Sequence, residues 1–137
     1  STEDMDLFLT LRNFDSDGNE ILETGQQGTP VPVAKGWLRV SHRELDPELT
    51  LPYRPYHRHQ RRLLLKANEI VKVDVEIWPT SMVFRRGHRI QLDVQPRDGV
   101  GSQSYMHYHA DYNTGTNTIY AGGDKGSYLL LPVIPAQ

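Results

Sequence analysis

Alternation of apolar and polar residues at every second position is the feature that most constrains this chain. In "EIVKVDVEIW", Val71, Val73, Val75 and Ile77 face one way and Lys72, Asp74 and Glu76 the other. "RIQLDVQ" repeats the pattern, with Ile90, Leu92 and Val94 set against Arg89, Gln91, Asp93 and Gln95. "DLFLTLRNF" sets Leu7, Leu9 and Leu11 against Phe8, Thr10 and Arg12. A period of two is the side-chain period of an extended strand and cannot be served by a helix. "SYLLLPVI" reads as a shorter apolar strand whose Pro132 suits an edge or a bulge. Turn signals separate the runs: "DSDGNE", "FRRGHR" and "AGGDKGS". The one helical candidate is "SHRELDPELT", with Ser41 or Asp46 as caps and Pro47 in the first turn. The expected fold is therefore all-β, with half-buried antiparallel strands in two packed sheets.

With 137 residues the chain suits one domain, spanning 1–137. Its net charge of -2 speaks against nucleic acid and gives no attraction to an acidic membrane. No apolar run is long enough for a membrane span. There is no cysteine, hence no disulfide, thiolate metal site or cysteine nucleophile. That absence and the lack of a signal peptide in "STEDMDLF" favour a cytoplasmic setting.

Several stretches invite chemical readings. "MHYHAD" places His107, His109 and Asp111 on one face of a strand, where they could hold a metal. No later histidine or nearby glutamate completes such a set, so the expectation is a polar surface, no resident metal and no cofactor. "DSDGNE" looks like part of a calcium loop, but Thr24 stands where the closing glutamate belongs, which favours a hairpin turn. "PYRPYHRHQRR" gathers Tyr53, Arg54, Tyr56, His57 and His59 in a long Pro- and Arg-rich connection. Arginine and tyrosine in such a loop suit a protein interface, with anion or ligand binding as the other reading. Trp37 and Trp78 could stack sugars; burial against a partner or a neighbouring sheet is the plainer expectation. Arg89 could pair across strands with Asp93 or Glu76.

"GWLRVSHRELDPELTLPYRPYH" and "VDVEIWPTSMVFRRGHRIQLDV" together resemble the C-terminal non-catalytic domain of X-Pro dipeptidyl-peptidases and the related CocE/NonD hydrolases. The carrying features are Ser41 to Arg43, Pro52 to His57, Asp74 to Ser81 and Phe84 to Ile90. The resemblance implies a jelly-roll β-sandwich that packs against an α/β-hydrolase domain and helps shape its active-site region. It implies a parent serine peptidase or esterase, with this piece not an enzyme on its own. The chain has no G-x-S-x-G elbow, and Ser102 and Ser104 lack its setting, so no catalytic residue is carried over. The resemblance also implies a strand before "DMDLFLTL" that is missing here. That leads to an expected fragment of a larger hydrolase, with an exposed sheet edge and self-association. The alternative is a stand-alone carbohydrate- or ligand-binding β-sandwich module.

Overall fold

The computed structural model describes residues 3–25, 28–98 and 115–133. Among them lie six strands: β1 (Asp6–Phe14), β2 (Glu20–Ile21), β3 (Glu23–Thr24), β4 (Pro30–Val31), β5 (Ala34–Arg39) and β6 (Arg89–Gln95). Every strand pair is antiparallel, and no α-helix occurs among the described residues. The fold is all-β, as the alternation requires.

β1 is the centre of the larger sheet. It pairs with β5 from Asp6↔Arg39 to Leu11↔Ala34, and with β6 from Phe8↔Gln95 to Phe14↔Arg89. A hairpin to β2 closes at Asn13↔Ile21 and Phe14↔Glu20. Its turn is "DSDGNE": Asp15 accepts from the Asp17 and Asn19 backbone N–H groups, and Gly18 takes φ +87°. A glycine serves there because that left-handed conformation costs it nothing. The turn reading of this motif therefore holds.

β1 departs from simple half-burial. Leu7 and Leu11 are buried on one face, and Phe8 and Thr10 on the other. A strand paired on both edges and covered on both faces must satisfy its polar side chains locally. Asp6 takes two bonds from Arg39. Arg12 donates to Asp93 at 2.6 Å and to Glu20 at 2.8 Å. Asn13, fully buried, donates to the Val83 carbonyl and meets Nδ1 of His88 at 3.0 Å. On the inner face, Leu11, Val33 and Ala34 are joined by Ile77, Met82, Phe84 and Leu129.

Four expectations need correction. The run Val71–Ile77 keeps side-chain alternation at Lys72, which is exposed between half-buried valines, yet forms no strand ladder among the described residues. It meets β5 where the Trp78 N–H donates to the Lys35 carbonyl, and Gly36 leaves room for the Glu76 carbonyl. Arg89 lies over the ring of Phe14, its partner in the register, 4.9 Å from the ring centre, and Asp93 bonds Arg12 instead. The helical candidate is only a 3-10 turn at Val40–His42 and a later turn capped by Asp46, whose carboxylate accepts from the Glu48 and Leu49 N–H groups. "SYLLLPVI" likewise has no strand assignment through Val133; among its described residues Leu129 joins the core cluster.

Candidate functional site

The segment from Glu44 to Arg62 leaves the sheet after the 3-10 turn and folds back on itself. Isolated bridges join Leu45 to His57 and Leu51 to Arg54. Backbone bonds run from Asp46 N–H to the Tyr56 carbonyl and from Arg58 N–H to the Glu44 carbonyl. Two ion pairs brace the base: Arg61 with Glu44 at 2.6 Å, and Arg58 with Asp46 at 3.2 Å. The Arg61 guanidinium holds the Glu44 carboxyl below its usual range. The Glu48 N–H, joined by Arg58, does the same for Asp46.

What this frame presents is apolar. Tyr53 is 73 % exposed, and Leu49, Leu51 and Tyr56 are exposed beside it in sequence. The exposed aromatic and aliphatic side chains thus stand on a segment tied by its own backbone bonds and ion pairs. Arg58 and Arg61 serve that support through their carboxylate partners, a pairing of Glu44 and Asp46 that the sequence reading missed.

The histidines gather at the base of the excursion. His42, on the 3-10 turn, brings its Nδ1 within 3.2 Å of Nδ1 of His59. The His57 ring lies 5.9 Å from that of His59. His57 is half-buried, and its Nε2 is enclosed with no hydrogen-bond partner. Burial pushes the His57 imidazole pKa down, outweighing a hydrogen bond with the Asp74 backbone. The unfolded chain lacks that burial, so it takes up the proton first as pH falls below about 6.5. Stability is therefore complete above that pH and declines below it until the folded imidazole itself protonates. Thermal melts from about pH 7 to about pH 5 are expected to show this decline, and His57→Asn to flatten it. An unchanged slope in the variant would assign the acid sensitivity elsewhere.

Trp37 and Trp78 stack on each other, ring centres 5.9 Å apart and 24° from parallel. They are 53 % and 63 % exposed, so both lie on the surface of this chain rather than beneath a neighbouring sheet. His107, His109 and Asp111 lie outside the described residues. Among the described residues, no group of three or more His, Asp or Glu side chains is placed to hold a metal.

Comparison with known proteins adds the context that geometry lacks. Residues 1–130 match the X-Pro dipeptidyl-peptidase C-terminal non-catalytic domain. The chain belongs to this family. It is 26 % identical over 143 aligned residues to the cocaine esterase of Rhodococcus sp. (strain MB1 Bresler), covering 93 % of this chain and 22 % of that protein. Two crystal structures of a CocE/NonD family hydrolase from Staphylococcus aureus superimpose with a TM-score of 0.72 at 37 % identity, covering 76 % of this chain and 19 % of theirs. The chain thus spans about a fifth of the length of these relatives. Its family is defined by a domain without catalysis, in keeping with the absence of a nucleophile elbow.

Proposed function

We propose that residues 1–137 form a single accessory β-sandwich domain of jelly-roll type within a larger serine hydrolase of the X-Pro dipeptidyl-peptidase or CocE type. Its role is to pack against an α/β-hydrolase domain and help shape the substrate-binding region. The observation that carries this reading is the braced excursion of Glu44–Arg62, which offers Leu49, Leu51, Tyr53 and Tyr56 to solvent on a frame tied by its own ion pairs. Exposed apolar side chains in such a group fit contact with another protein surface. Arg54, beside Tyr53, sits at the same tip and adds a planar donor for carboxylates or carbonyls across the interface. The parent reaction is acyl transfer to water: a serine attacks an ester or amide carbonyl, and water releases the acid. Self-association through an unpaired sheet edge belongs to the same proposal, and multi-angle scattering over a wide concentration range tests it.

The stacked, exposed Trp37–Trp78 pair favours one second reading, a carbohydrate-binding module. Titration of the chain with the separately produced α/β-hydrolase domain, and in parallel with a glycan panel, distinguishes the two. Association with the hydrolase domain is expected, and Tyr53→Asp with Tyr56→Asp should abolish it without lowering the melting temperature. Tight binding of one glycan that needs Trp37 or Trp78, with no association, would overturn the accessory role.

A further inference from the structure

We propose that His42 and His59 form a two-histidine chelate for a borderline divalent cation of the Zn2+ or Ni2+ type, set at the base of the excursion. The two Nδ1 atoms stand 3.2 Å apart. Metal–nitrogen bonds of about 2.0–2.1 Å at cis angles between square-planar and tetrahedral place two ligand nitrogens about 2.9–3.4 Å apart. The observed separation lies within that range. The two nitrogens are already close enough to share a cation, which would sit off the line between them and so asks both rings to tilt toward it.

The two ligands come from different parts of the chain. His42 belongs to the 3-10 turn that follows β5. His59 lies on the return leg of the excursion, with its backbone at φ +52°. A non-glycine residue in the left-handed region carries strain that its surroundings must hold in place, and such residues gather at ligand sites. Of the guanidiniums nearby in sequence, Arg58 pairs with Asp46 and Arg61 with Glu44, while Arg43 donates to the Val40 and Leu63 carbonyls. A cation at the histidine pair therefore meets Arg58 and Arg61 already compensated by carboxylates. Imidazole is the ligand suited to Zn2+ and Ni2+, and with two protein ligands water completes the coordination. Bound metal would tie the excursion to the end of β5 and so fix the segment that carries Tyr53 and Tyr56.

The cation takes the Nδ1 lone pair of each imidazole, so each ring is left to carry its proton on Nε2. The test is calorimetric titration of the chain with Zn2+ and with Ni2+ near pH 7.5, with nitrogen-15 spectra of the imidazoles. One equivalent of Zn2+ is expected to bind and to shift Nδ1, not Nε2, of His42 and His59. Removing one of two linked ligands should weaken binding about a hundredfold, in His42→Asn and in His59→Asn alike. Asparagine tolerates the left-handed backbone at 59, so His59→Asn remains folded even if His42→Asn does not. A variant with His107→Asn and His109→Asn should bind as the parent does. No binding, or binding lost with His107 and His109 but kept in His59→Asn, would overturn the site.

Discussion

Replacing Gly36 with valine is expected to lower stability by about 3 kcal/mol or more, enough to unfold much of a domain of ordinary marginal stability. A Cβ at position 36 would stand 2.2 Å from the Glu76 carbonyl oxygen, 3.0 Å from its carbon and 3.2 Å from Cα of Ile77. All three atoms are backbone, so no rotamer change can relieve the clash. β5 and the 76–78 segment must separate, and the Trp78 to Lys35 bond and the Trp37–Trp78 stack go with them. Even alanine carries the offending Cβ, so Gly36→Ala should share most of the loss. Urea denaturation of both variants measures it; a Gly36→Ala midpoint equal to the parent's would contradict a close backbone approach at this position.

Arg12→Met should cost about 2–3 kcal/mol, because removing one partner of a largely buried ion pair leaves the other charges uncompensated. The Arg12 side chain is only 11 % exposed and serves Glu20 and Asp93 together, from the central strand to β2 and to β6. Methionine fills much of the volume but leaves the Glu20 and Asp93 carboxylates without their shared cation. Adding Asp93→Asn and Glu20→Gln should recover part of the loss, as the uncompensated charge is then gone. A triple variant no more stable than Arg12→Met would show that the cost arises from packing rather than charge. Chemical denaturation of the series gives the coupling directly.

Much of the framework was legible in the sequence because strand alternation is a local signal. β1 and β6 fall where "DLFLTLRNF" and "RIQLDVQ" alternate, and the hairpin turn falls on "DSDGNE". What local pattern cannot reveal is partnership. The alternation of Val71–Ile77 is as clean as any, yet its approach to β5 is decided by Gly36, forty residues away in sequence. Arg89 and Arg12 are both plausible partners for Asp93; the β1–β6 register, with Thr10 opposite Asp93 and Arg89 opposite Phe14, gives it to Arg12. In the same way Tyr53 and Tyr56 stand out in "PYRPYHRHQRR", while their support by Glu44 and Asp46 needs the chain to fold back. His42 carries no signal of its own until His59 is brought against it.

The accessory role requires the Glu44–Arg62 excursion to be a contact surface rather than a free loop. Hydroxyl-radical footprinting of Tyr53 and Tyr56 measures this directly, comparing the chain alone with the same residues in a polypeptide that also carries the α/β-hydrolase domain. Both tyrosines are exposed in the chain alone and should label readily. Joined to the hydrolase domain, both are expected to become strongly protected while Trp37 and Trp78 keep their reactivity. Equal labelling of Tyr53 and Tyr56 in the two settings would contradict the proposed docking.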